Sequence, residues 1–216
     1  MLKGATVDWL GNIIFRNTEI QGERLELTDK NARYILGPNL TLRHCTLVTR
    51  GTGRNLSLHP TRFIDCTFEV KQQLTNFQQW IRLSLKGCRF KGRFSGNDFG
   101  HWPEYGDEPE NQFGAMEDCD FSEARLDACR FMGCDPLTLR FPKWPCFTFL
   151  EPIRHAPELC RAEWPERFCD IIVKTLHKGP QRIVAETHDA IAAARRYKTT
   201  PEALKSVIEQ FDCIVY

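Results

Sequence analysis

The chain has 216 residues, of which 26% are charged and 11% aromatic, and a formal net charge of +1. This is globular composition at a length that buries a substantial core, and it excludes a disordered chain. A net charge so near zero supplies neither the positive field of a general nucleic-acid binder nor the strongly negative field of a duplex mimic.

Residues 1–34 carry Trp9, Ile13, Ile14, Phe15, Ile20, Leu25 and Leu27, with Ile20 and Leu25 five apart and Leu25-Glu26-Leu27 alternating as a strand does. They are expected to form a first, irregular coil that caps the N-terminal end. Gly37-Pro38-Asn39 marks a turn. A period of five then sets in: Leu42 and Leu47, then Leu58, Phe63 and Phe68, then Leu85 and Phe90. Two residues before each stands Leu40, Cys45, Leu56, Thr61, Cys66, Leu83 or Cys88. The clearest run is Met116, Phe121, Leu126, Phe131 and Pro136, preceded at the same offset by Gly114, Cys119, Ala124, Cys129 and Cys134.

Five matches neither the helical period of 3.6 nor the strand period of 2. It matches a chain that turns a corner about every five residues, with the large residue filling an inner face and the small one beside it. Four such sides close a coil of about 20 residues. The unit Cys-x-(Leu/Phe) stands at 45, 66, 88, 119 and 129, and its first intervals are 21 and 22 residues. Equivalent residues are therefore expected to stack, one coil above another, at about the 4.8 Å strand spacing.

Cys119-Asp120-Phe121-Ser122-Glu123, Ala124-Arg125-Leu126-Asp127-Ala128 and Cys129-Arg130-Phe131-Met132-Gly133 resemble the repeats of the pentapeptide-repeat proteins. The resemblance covers Ile35 to Leu139 with a gap around 97–113. It implies a right-handed quadrilateral β-helix. Members of that family include topoisomerase-binding DNA mimics, and similar degenerate repeats occur in proteins that look like immunity partners of secreted bacterial toxins.

Arg50-Gly51-Thr52-Gly53-Arg54-Asn55 reads as a turn between coils. Its glycines and arginines suit a phosphate, but the closing Gly-Lys-(Ser/Thr) of a nucleotide loop is missing. Gln72 to Trp80, rich in side-chain amides, is expected to be a longer connection. Cys88 and Cys119 are 31 residues apart, about ten more than a coil needs, and the surplus is expected between Gly96 and Phe113, an insertion near 97–113. It carries Trp102, Glu104, Tyr105, Asp107, Glu108 and Glu110, an aromatic pair with four carboxylates. Long loops in compact domains are often functional, and Trp and Tyr dominate interface energetics, so these six residues are the candidate partner-binding site. The alternative is a solvated insertion whose aromatics fold back over the coil.

After Leu139 the pentads give way to Pro142, Trp144, Pro145 and Pro152, read as a covered end and a crossing segment. Three helices are expected next: one with Trp164, Phe168, Ile171, Ile172 and Leu176 buried, one with Ile183, Val184, Thr187, Ile191 and Ala194, and one starting at Thr200-Pro201.

Of the ten cysteines, Cys45, Cys66, Cys88, Cys119 and Cys129 take the small inward slot, where a thiol acts as a compact hydrophobe. With no apolar leader at Met1–Asp8 and no run long enough to span a bilayer, reduced thiols in a cytoplasm are expected. The six histidines form no His-Glu-x-x-His pair, and neither Cys-x-x-Cys nor Gly-x-Ser-x-Gly occurs. Asp118, Asp120, Glu123 and Asp127 fall at outward, solvated positions. The basic stretch Ala194-Arg195-Arg196-Tyr197-Lys198 sits between two helices as in a helix-turn-helix, but cations at a helix C-terminus are expected from the macrodipole alone.

These readings add up to a mainly β chain: a β-helix solenoid over 1–150 and a C-terminal helical segment over 151–216. No catalytic residue, metal or cofactor is assigned. The resemblance, with no catalytic motif found, implies a non-catalytic protein-binding module, an immunity or antitoxin protein that blocks a bacterial toxin such as a nuclease by direct contact. A topoisomerase- or DNA-associated protein is the alternative, and a carbohydrate-active β-helix enzyme the third.

Overall fold

A computed structural model describes residues 4–50, 53–102 and 113–216. The short strand β1 (Thr6–Val7) lies antiparallel to β2 (Ile13–Phe15), and β2 opens a solenoid of parallel strands. The first coil continues through β3 (Thr18–Gln21) and β4 (Arg24–Leu27), the second through β5 (Tyr34–Leu36), β6 (Leu40–Arg43) and β7 (Thr46–Thr49). Next come β8 (Leu56–Leu58), β9 (Thr61–Ile64) and β10 (Thr67–Thr75), and a 3-10 turn over Gln78–Arg82. The last coils hold β11 (Leu83–Lys86), β12 (Arg89–Ser95) and β13 (Asp98–Gly100), then β14 (Ala115–Glu117), β15 (Asp120–Asp127) and β16 (Cys129–Met132).

The pentad period becomes columns of side chains. One sheet, β3-β6-β9-β11-β14, aligns Ile20, Leu42, Phe63, Leu85 and Met116. Another, β4-β7-β10-β12-β15, aligns Leu25, Leu47, Phe68 and Phe90, with the Phe121 ring stacked on Phe90 at 4.3 Å and 7°. A third side aligns Phe15, Leu36 and Leu58 and continues through Trp80 and Phe99 to Phe131. Strands β10 and β12 shift register after Val70 and Gly92 and then wall a fourth side, where Leu74, Phe94 and Leu126 are in line. Stacking at the strand repeat puts flat rings within van der Waals reach of each other, which favours aromatic columns.

The corners also stack. Gly22, His44, Asp65, Gly87 and Asp118, one per coil at the same corner, all have positive φ. Gly, Asp and Asn tolerate that conformation best. Gly87 is required twice over, because a Cβ there would meet the Asp65 carboxylate oxygen at 2.2 Å.

Regular coiling starts earlier than the sequence led us to expect. Ile13–Leu27 already stacks in register on the second coil, and only β1 departs from the pattern. Gln72–Thr75 is strand rather than connection. The surplus chain begins after Gly100, not at residue 97, because β13 belongs to a coil. Asn97 and Asp98 read as loop residues, but both are buried and paired. The Asn97 amide donates to the Leu74 and Ser95 carbonyls at 3.1 and 2.9 Å and accepts from Trp80 Nε1 at 3.0 Å.

Beyond the last coil run β17 (Cys146–Leu150), α1 (Pro152–Leu159), α2 (Glu166–Ile171), a 3-10 stretch over Val173–Lys178, β18 (Ile183–Asp189), α3 (Ala190–Tyr197), α4 (Pro201–Ile208) and β19 (Ile214–Val215). Here the expected trio of helices needs correction. Ile183–Thr187 is strand, α1 is a helix ahead of the three expected, and the Trp164–Leu176 stripe breaks into two short helices. The start at Thr200 holds, with its hydroxyl accepting from the Ala203 amide at 3.1 Å. Strand β18 pairs antiparallel with β16 and the order runs β13-β16-β18-β17-β19, so one sheet crosses from solenoid to C-terminal segment. That pairing covers the backbone edge a last coil would otherwise expose. Among the described residues, no helix is long and apolar enough to cross a membrane.

Candidate interaction surfaces

The insertion leaves and rejoins the coil almost at one point. Its feet are Gly100 and Gly114, and a Cβ on Gly114 would meet the Ile81 carbonyl oxygen at 2.1 Å and that of Gly100 at 2.5 Å. Trp102 fixes the first foot. It is 2% exposed, packs with Ile81, Met132 and Ile183, and donates from Nε1 to the Phe99 carbonyl at 2.7 Å. The Arg130 guanidinium lies 4.9 Å from its ring centroid and forks onto the buried Asp98 carboxylate at 2.8 and 2.7 Å. Trp102, placed in the candidate binding site, is thus buried at the first foot of the insertion, as the alternative of aromatics folded back over the coil had it. Glu104, Tyr105, Asp107, Glu108 and Glu110 lie outside the described residues.

A second surface was not anticipated. Where the fourth side of the solenoid meets α3, a cleft of about 200 Å³ is lined by Gln73, Arg93, Arg125, Asp127, Asp189 and Arg195, with buried Phe94 and half-buried Ala192. Arg93 and Arg125 are directly paired positions on neighbouring strands, and Gln73 precedes Leu74, which pairs with Phe94. From the other wall, Asp189 caps α3 by accepting from the Ala192 amide at 2.8 Å and holds the Arg125 guanidinium in a two-point ion pair. Asp127 holds Arg196 and accepts weakly from the Asp189 amide at 3.4 Å. Hydrogen bonding to Asp189 raises the Arg125 pKa.

Asp127 therefore departs from its solvated reading, because α3 covers it. Asp120 is half-buried between Arg89 and Arg140 at 3.8 and 3.9 Å, while Glu123 bonds Lys91 at 2.9 Å. The basic end of α3 looked like macrodipole complementarity alone. Its partner Asp127 is 69 residues away from Arg196, a separation that no local pattern displays.

The five pentad cysteines are at most 1% exposed, and all ten cysteines are free thiols. Cys45, Cys66 and Cys88 each donate to a carbonyl of the coil before, those of Ile20, Leu42 and Phe63, at 3.4 Å. A thiol suits the slot because it is small, apolar in bulk and still a weak donor. Burial pushes the Cys66 pKa up to about 11 and that of Cys129 to about 12. A hydrogen bond with Cys119, then burial, raises that of Cys88. Such thiols are poor nucleophiles and poor metal ligands. Among the described residues, no three His, Cys, Asp or Glu side chains converge so as to hold a metal ion.

Comparison with known proteins finds no matching family model, no matching curated protein and no matching solved structure.

Proposed function

We propose that this protein is a non-catalytic binding module of pentapeptide-repeat type, which acts as an immunity protein by holding a bacterial toxin in direct contact. The observation that carries this reading is the anchored insertion. A scaffold whose inner columns are filled with side chains holds the two ends of the insertion side by side, the first fixed by the buried Trp102. Anchoring of that kind lowers the ordering cost of an epitope. The loop sequence supplies Tyr105 as an aromatic anchor and Glu104, Asp107, Glu108 and Glu110 as a negative field suited to a basic surface, such as the substrate cleft of a nuclease.

Co-expression with the products of neighbouring genes tests the proposal. The intact chain is expected to restore growth against one of them and to form a stoichiometric complex in gel filtration. Replacing residues 103–112 by a short Gly-Ser linker should abolish both effects and leave the melting curve in place. The immunity reading fails if no neighbouring product is neutralised or bound.

A further inference from the structure

We infer that the cleft between the fourth side of the solenoid and α3 is a second docking surface, which receives an acidic, extended peptide segment of a protein partner. This rests on the reading of the chain as a binding module and names a chemistry that the insertion lacks.

Charge is the first argument. Arg93, Arg125, Arg195 and Arg196 converge on the carboxylates of Asp127 and Asp189, which leaves two positive charges in excess. The excess sits on Arg93 and Arg195, which are exposed and in no ion pair among the described residues. Neighbouring sides of the solenoid differ. There Arg24 bonds Glu69, Arg43 bonds Glu19, Lys86 bonds Glu117 and Lys91 bonds Glu123, all at 3.3 Å or less. Those cations are paired from within the chain, whereas Arg93 and Arg195 have no such partner among the described residues.

Geometry is the second. Arg93 stands one rung from Arg125 on paired strands, about 4.8 Å away along the solenoid axis, and Gln73 adds an amide near the preceding rung. Arg195 faces them from α3. The wall on the other side of Arg93 and Arg125 is Pro142–Cys146, including the half-buried Trp144, which offers apolar contact to a chain lying along the rungs. The Arg125 guanidinium already grips a carboxylate in two-point fashion, and Arg93 and Arg195 present the same group to a partner.

A peptide suits the cleft better than a nucleic acid does. Two buried carboxylates in the floor oppose a run of phosphates, and an excess of two charges balances a pair of acidic side chains. Binding driven by counterion release from a nucleic-acid backbone draws on a longer cationic track.

Anisotropy of a short fluorescein-labelled oligoglutamate, titrated with the full chain at low and high salt, tests the inference. Saturable binding is expected. It should weaken about tenfold or more in Arg93→Gln/Arg195→Gln and fade with salt, while the melting temperature of that variant stays at the wild-type value because both side chains are exposed. Equal binding by the variant overturns the inference, as does an absence of binding. So does tighter, equally arginine-dependent binding of a single-stranded oligonucleotide of the same length, which would assign the cleft to nucleic acid. The probe stands in for the natural partner, so the two readings fail separately. A toxin that needs the insertion but ignores Arg93 and Arg195 leaves the immunity reading standing and removes the cleft from it.

Discussion

Phe121 lies flat on Phe90 at 4.3 Å, with the rings of Phe99 and Phe131 set edge-on at 5.2 and 5.1 Å. Neighbours above and beside it come from different coils, so truncation cannot be filled by a local shift. Phe121→Ala is expected to cost about 3–5 kcal/mol, the range for a buried Phe in a tight core, measured by urea unfolding. A variant with an unchanged midpoint would remove Phe121 from the core. Single residues of this kind were legible in the sequence, since a large residue every fifth position marks the inner columns whatever the surroundings. Trp102 was legible only as one of two alternatives. A tryptophan among glycines, prolines and carboxylates has the composition of an epitope, and its burial against Ile81, Met132 and Ile183, over the Arg130–Asp98 pair, is what turns the ring inward.

At the scale of elements, legibility followed the range of the interactions. Strands whose side chains repeat in the next coil announce themselves by period. Strand β18 does not, because Ile183, Val184 and Thr187 satisfy a helical stripe as readily as Ile183, Ala185 and Thr187 satisfy strand alternation. The open edge of β16, distant in sequence, decided the matter. Helix α3 shows the same dependence. Its cap, Asp189, is also the carboxylate that ties Arg125 of β15 to the C-terminal segment. Asp189→Ala removes the cap and leaves Arg125 without its partner. A loss of about 2–3 kcal/mol is expected from the cap and a charged hydrogen bond together. Asp189→Asn, which can still accept from the Ala192 amide, should recover the smaller, capping part. If both variants unfold at the wild-type midpoint, the bridge between β15 and α3 contributes nothing to stability.

For the molecule as a whole, the same stacking predicts a stability plateau with two flanks. Glu69 of the third coil is gripped by Arg24 of the first at 3.3 and 3.2 Å and by Lys71 at 3.0 Å, and these bonds, that of Arg24 foremost, lower its pKa from 4.5 to about 2. A depressed folded pKa means stability that is complete above 4.5 and disappears as the pH falls toward 2. The thiols act in the opposite sense. Burial raises Cys66 and Cys146 from 9 to about 11, and Cys129 and Cys134 to about 12. Unfolding exposes them to water, where they ionise near 9. Their contribution is therefore complete below pH 9 and is lost as the pH climbs to 11 or 12. Each thiol adds a slope of roughly 1 kcal/mol per pH unit in that window. Urea unfolding between pH 7 and 11, under reducing conditions, should show a descending limb steeper than the lysines alone produce. Cys129→Ala is the informative variant. It lowers stability on the plateau by opening a small void, yet its alkaline limb should be shallower by one proton. A limb of unchanged slope would mean that the Cys129 thiol titrates alike in the folded and unfolded chain, and the column would then not be dry.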